Sequence, residues 1–421
     1  MSPTGADESR EKCAAQAIVI ENATQLLELS RRIHAHPELG FEEVQAATWC
    51  TELLAGGGFT VHLGVGGLAT AFDATVGHGP LAIGICCEYD ALPEIGHACG
   101  HNVIAAAGVG AGLALAPLAD DLGCTIHVFG TPAEEGGGGK ILLLEAGVFD
   151  GLGAVLMVHP APAELVQMPC LAISHFDVRF VGKEAHAAAF PELGVNAADA
   201  VTIAQVAVGL LRQHAKPGDQ VHGIVTNGGA APNIVPGLAE AKYYVRSLTL
   251  AGLAEWEARV RRCFEAGALA TGASVEFITR CPAYSEFRAD EAIGARYRAN
   301  AVSLGRTFAP PSDRVLMAST DMANVSLVIP AIHPTLDIRS APAVNHQPEF
   351  AAHCVSPAAD QAILDGATAM AWTIIDLAHD EDERGRLLRG ARRRISSHLA
   401  PETGANGAAP GSDRPGGRRA A

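Results

Sequence analysis

Leu81-Ala82-Ile83-Gly84-Ile85-Cys86-Cys87 runs straight into Glu88-Tyr89-Asp90-Ala91-Leu92-Pro93 and then His97-Ala98-Cys99-Gly100-His101-Asn102. An apolar run without polar alternation predicts a strand buried on both faces, the kind found in parallel sheets covered by helices. Two further runs repeat the arrangement. Thr125-Ile126-His127-Val128-Phe129 leads into Thr131-Pro132-Ala133-Glu134-Glu135 and four glycines, and Gly153-Ala154-Val155-Leu156-Met157-Val158 ends in His159-Pro160. In open α/β sheets ligands collect beyond the carboxyl ends of the strands, where loops converge on a rigid base. Three loops bearing Cys, His, Glu and His are expected to meet, and with His346 as a fifth candidate ligand the set argues for a two-metal hydrolase.

Helical spacing from about Ile18 to Arg32, from Glu42 to Leu54 and from Val103 to Leu118 predicts helices that alternate with these strands through about residue 170. The pattern then changes. Ile173 to Val181 alternates apolar and polar residues as a half-exposed antiparallel strand does. A helix from Asn196 to His214, strands Gln220 to Asn227 and Leu238 to Leu250, a helix from Leu253 to Thr271 and a strand from Ser274 to Arg280 complete an α+β unit of the ferredoxin-like type. After Pro282 the α/β character resumes with a helix from Asp290 to Leu304, the segment Ala318 to Pro334 and a final helix from Ala359 to Leu377. The simplest account is an α/β domain in two parts, 1–171 and 283–400, split by an inserted α+β domain at 172–282. A Gly-, Pro-, Ala- and Arg-rich tail at 401–421 is expected to be disordered.

At 421 residues the chain has material for a large core, and 48% hydrophobic with 18% charged residues is the composition of a globular enzyme. A net charge of −16 argues against a nucleic-acid partner, which needs a basic stripe to displace counterions. No stretch reaches ~18 uninterrupted apolar residues, so no membrane partner is expected. The first residues lack the basic-then-apolar order of a secretory signal, and ten cysteines without tight spacing fit reduced thiols. A cytoplasmic location is the expectation.

Taken one at a time, the candidate residues have ordinary readings. A Cys-x-His pair is more often buried structure than a metal site, Glu-Glu is more often a solvated turn at a helix N-terminus, and a lone histidine after a strand is usually a satisfied core residue. Together they read differently. Cys99 and His101, one residue apart before a helix, can aim at one centre that takes thiolate and imidazole. Glu134 and Glu135, adjacent in an extended segment, point to opposite sides, so one is free to bind metal while the other faces a reacting water. Asp90 is placed to orient a metal-bound imidazole through its second nitrogen. The four glycines after Glu135 suggest close backbone approach to something bound.

Arg32-Ile33-His34-Ala35-His36-Pro37-Glu38-Leu39-Gly40-Phe41-Glu42-Glu43, Asp90-Ala91-Leu92-Pro93, His97-Ala98-Cys99-Gly100-His101, Pro132-Ala133-Glu134-Glu135-Gly136 and Gly182-Lys183-Glu184-Ala185-His186-Ala187-Ala188 follow one another in an order that resembles the M20 peptidase family of aminoacylases, carboxypeptidases and amidohydrolases. Within it the chain is most similar to the branch of indole-acetyl-amino-acid and p-aminobenzoyl-glutamate hydrolases. The resemblance implies that Cys99, His101, Glu135, His159 and His346 bind two divalent ions (zinc, manganese, cobalt or nickel), with Glu134 as general base. It implies that the inserted domain is a lid that also makes a homodimer, that His186 meets the oxyanion from its own or a partner subunit, and that Asn233 and Arg246 contact a substrate carboxylate. The expected substrate is an N-acyl amino acid, an aminobenzoyl-glutamate-like conjugate or a dipeptide. Two departures stand out: Asn102 where many relatives carry Asp, and Gly237-Leu238 where a charged pair is common. Two rivals remain, a metal-free amidase with Cys99 as nucleophile and His101 or His97 as base, and a non-catalytic binding relative.

Overall fold

A computed structural model describes residues 3–309 and 318–399. The main sheet has six strands in the spatial order Thr60–Leu63, Phe72–Val76, Cys124–Gly130, Leu81–Cys87, Ala154–Leu156, Ala331–Ile332. Leu81–Cys87 pairs in parallel with Cys124–Gly130 and with Ala154–Leu156, as the three apolar runs imply, and Ala331–Ile332 adds a further parallel strand. Two antiparallel strands close one edge. The helix His101–Leu115 is buried along its whole length. It lies against the sheet because its contact face is small: a Cβ on Gly108 would fall 2.4 Å from the Cys87 sulfur. That close seat fixes where the first residue of the helix, His101, can point.

The third apolar run behaves differently from its reading as one strand ending in a loop. Ala154–Leu156 leaves the main sheet, and His159–Ala161 pairs in parallel with Thr335–Asp337 in a separate two-stranded sheet. His159 is therefore held by a second ladder.

Residues 172–279 build a second, antiparallel sheet in the order Ser274–Thr279, Ala172–Val181, Leu238–Ser247, Gln220–Asn227. Helices Ala197–Leu211 and Leu250–Thr271 pack on it and on each other. Phe176, Phe180, Tyr243, Trp256 and Phe264 form a core of its own. Both helices begin at side-chain caps, Asn196 accepting from the Ala198 and Asp199 amides and Thr249 from that of Gly252.

Elsewhere the boundaries move for local reasons. The first expected helix is two, Pro3–Glu21 and Ala23–Ala35, parted at Asn22, whose amide side chain bonds back to the Ile18 carbonyl. After Pro357–His379 comes a further helix, Glu381–Leu399, not expected from the sequence because its arginines mask a sparse apolar stripe. That stripe suffices: Leu387 is buried in the main core, and Arg384 caps the Leu122 and Gly123 carbonyls. The expected disordered tail, 401–421, lies outside the described residues.

Candidate active site

The carboxyl ends of the parallel strands deliver Cys99, His101, Glu134, Glu135 and His159 to one place, and the loop before Pro348 brings His346 to it. Donor atoms of Cys99, His101 and His159 lie within 4.8 Å of one another, and so do those of Cys99, Glu135 and His346. Cys99 belongs to both groups. Most of these residues line a pocket of about 490 Å³ that also holds Arg246 and Tyr284, while His101 closes it from beneath, fully buried.

Backbone conformation costs energy at two of these positions. His346 has φ 69° and Ala133, just before the glutamates, φ 58°, left-handed values that side chains with a Cβ rarely adopt. Each is held by a hydrogen bond from its N–H, His346 to the Ala98 carbonyl at 2.8 Å and Ala133 to Glu43 Oε1 at 2.9 Å. The glycines after Glu135 serve the chain itself more than a ligand. A Cβ on Gly137 would meet Phe41 at 2.5 Å and Ala133 at 2.6 Å, and one on Gly139 would meet the Pro132 carbonyl at 1.9 Å. Only Gly136 of the four lines the pocket.

Orientation of the donors is complete. Asp90 accepts from His101 Nδ1 at 2.9 Å with one carboxylate oxygen and from the Glu135 N–H at 2.9 Å with the other. His101 Nε2 is thereby turned into the cluster. His159 Nδ1 lies 2.8 Å from the Pro160 carbonyl, leaving Nε2 3.6 Å from the Cys99 sulfur. Glu135 Oε1 lies 3.4 Å from His346 Nε2. His101 Nε2 and Glu135 Oε1 are buried with no hydrogen-bond partner. Atoms ~2.1–2.3 Å from a tetrahedral centre sit ~3.4–3.6 Å apart, the spacing found here. The donor set thus fits divalent metal, and the orphaned atoms are those an ion would satisfy.

Electrostatics agree. Burial opposes a charged His101, but the carboxylates of Asp90 and Glu88 outweigh it and push its pKa well up. Burial, then the charges of Glu88, Glu135 and Asp321, raise Glu134 well above the usual carboxylate range. Glu135 stays low despite burial because His346 and His101 face it. Burial and then Glu135 push the Cys99 thiol well above its ordinary range.

Arg246 reaches the pocket from the second sheet. Among the described residues its guanidinium donates to Ser319 Oγ at 2.8 Å and has no carboxylate partner. Burial lowers its pKa, so the site presents a partly desolvated cation awaiting an anion. His186 and Asn233 are adjacent to each other, joined through an Ala187 N–H to Asn233 carbonyl bond, but both are exposed and neither lines this pocket. Asn102 is turned away too, its amide donating to Ser30 Oγ and the Cys354 carbonyl.

Several residues at the site carry no signal that singles them out in sequence. Tyr284 donates to the Glu134 carbonyl at 2.6 Å. His333, 5% exposed, lines the pocket beside His159 with Nε2 unpartnered. Fully buried Lys140 pairs with Glu88 and, at 2.9 Å, with Asp321. Glu88 had a readable signal: it stands two residues before Asp90, and alternate residues of an extended segment share a face.

The family model described as peptidase family M20/M25/M40 matches residues 86–374. The Xaa-Arg dipeptidase of Mus musculus is 38% identical over 418 residues, covering 96% of this chain and 93% of that protein. One of the two p-aminobenzoyl-glutamate hydrolase polypeptides of Escherichia coli is 35% identical over 280 residues, covering 61% of this chain and 58% of that one. Among solved structures, Bacillus subtilis YXEP, a dinuclear metal binding peptidase from the M20 family, superposes with a TM-score of 0.63 at 22% identity, over 84% of this chain and 98% of its own. The protein belongs to peptidase family M20/M25/M40 and is a metal-dependent hydrolase of amide bonds.

Proposed function

We propose that the chain holds two divalent ions, one by Cys99, His101 and His159 and one by Cys99, Glu135 and His346, and cleaves a dipeptide or N-acyl amino acid whose departing half carries a free carboxylate. The observation that carries this reading is the convergence of unpartnered, buried His101 Nε2 and Glu135 Oε1 with the Cys99 sulfur. When bound, such ions polarise a carbonyl and bring the pKa of water down to about 7.

The chain supplies the rest. Glu134 projects into the pocket and is not needed to complete either of those donor groups, so it is available to take the proton of the attacking water and return it to the leaving amine. Its raised pKa suits a group that must both accept and give. Tyr284 anchors its backbone, and the Glu43-held turn at Ala133 sets its direction. Arg246 grips the substrate carboxylate and so fixes which amide lies beside Glu134. A pocket of about 490 Å³ suits a substrate of dipeptide size, in keeping with the dipeptidase relative.

The inserted 172–282 unit acts as a lid and as the contact between two copies, and His186, exposed and away from its own pocket, meets the oxyanion of the partner's site. Ten free cysteines suit a reducing, cytoplasmic setting. A metal-free route through Cys99 is disfavoured by its raised pKa, since the thiolate is the nucleophile. Chelation tests the choice. Activity on dipeptides and N-acyl amino acids should vanish with chelator and return with added metal; chelator-resistant, iodoacetamide-sensitive activity would refute it.

A further inference from the structure

Beneath the pocket lies a fully enclosed set of charges that neither ion group uses. Glu88, Lys140 and Asp321 each have 0% side-chain exposure. Lys140 is locked: its Nζ donates to Glu88 Oε1 and to Asp321 Oδ1, and its backbone N–H to Asp321 Oδ2 at 2.9 Å. Glu88 Oε2 is left buried without a hydrogen-bond partner, 3.4 Å from His101 Nε2, which also has none. That separation is long for a hydrogen bond, which for N–H···O centres near ~2.9–3.0 Å. It is the separation of two atoms sharing a tetrahedral ion, ~3.4 Å. Donor atoms of Glu88, His101 and Glu134 form a third group within 4.8 Å.

Charge points the same way. Two carboxylates against one ammonium leave a negative charge in a sealed enclosure, a costly arrangement unless a cation completes it. We propose that Glu88 is a further ligand of the ion held by Cys99, His101 and His159, binding through Oε2. Lys140 and Asp321 are positioning residues that clamp Oε1 and so aim Oε2. The imidazole of His101 is then flanked by two carboxylates of one strand end, Asp90 fixing Nδ1 and Glu88 sharing the ion at Nε2. This rests on the two-ion reading above.

The test uses full-length protein stripped by chelator and titrated with cobalt(II), following bound metal and the visible ligand-field spectrum. Wild type should take up two ions per chain. Glu88→Gln should bind one of them about tenfold or more weakly, at least the loss seen when residues supporting metal ligands are removed, and shift the cobalt bands. Glu88→Asp keeps the charge opposite Lys140 but withdraws the oxygen, so it should show the same loss in a milder form, and it carries the test if Glu88→Gln does not fold. Wild-type affinities and spectra in the variants overturn the assignment of Glu88 alone. A wild-type chain that takes up no cobalt overturns it together with the two-ion reading.

Discussion

Glu43 reaches across ninety positions of sequence to accept the N–H of Ala133 at 2.9 Å, holding a residue with φ 58° immediately before the two glutamates of the site. Its other oxygen accepts from Thr70 Oγ1 at 2.8 Å, so a fully buried carboxylate is spent on one turn. Hydrogen bonds to a charged group contribute about 1.5–3 kcal/mol each. Glu43→Ala should therefore lower unfolding free energy by about 3 kcal/mol or more and reduce kcat as Glu134 and Glu135 lose their aim. Denaturant unfolding and steady-state kinetics check it, and unchanged kcat would show that the turn needs no such clamp.

Glu134→Gln keeps shape and removes the proton acceptor. Metal content should match wild type while kcat falls by about 10²–10⁴. Elemental analysis beside kinetics separates this from loss of a ligand, which would cut both.

Arg246 has a hydrogen bond only to Ser319 among the described residues, so its strongest partner is expected to be substrate. Arg246→Ala should reduce kcat/KM by about 10–100-fold, the worth of a charged hydrogen bond of about 1.5–3 kcal/mol. Arg246→Lys should recover part of this, because an ammonium lacks the planar fork. A substrate amide lacking the free carboxylate should be cut equally by wild type and Arg246→Ala.

Cys99 and His101 both have raised pKa values, burial and Glu135 raising the thiol, Asp90 and Glu88 outweighing burial at the imidazole. Both hold protons at neutral pH that an incoming ion must displace. Affinity should thus fall as pH falls, by about tenfold per unit for each proton released. Calorimetry in buffers of different ionisation enthalpy should show more than one proton released on loading both sites, and no buffer dependence would contradict it.

Much of this was legible because the strand-end loops carry their chemistry in order: the runs before Glu88, Thr131 and His159 announce buried strands, and Cys99, His101, Glu134 and Glu135 follow at once. What hid was whatever depends on distant partners. Lys140 reads as an ordinary surface lysine until Asp321, 181 positions away, and Glu88 enclose it. The glycine run misled because Gly137 and Gly139 make room for Phe41, Ala133 and Pro132 rather than for a ligand. His186 and Asn233 carry the family pattern yet stay outside the pocket, since a single copy of the chain does not bring them to Glu134.

The account rests on two ions sharing Cys99. Anomalous diffraction from crystals of the metal-loaded protein tests that directly. Two peaks are expected, one beside His101 and His159 and one beside Glu135 and His346, with the Cys99 sulfur adjacent to both. A loaded, active protein with a single peak, or with peaks away from Cys99, would contradict it.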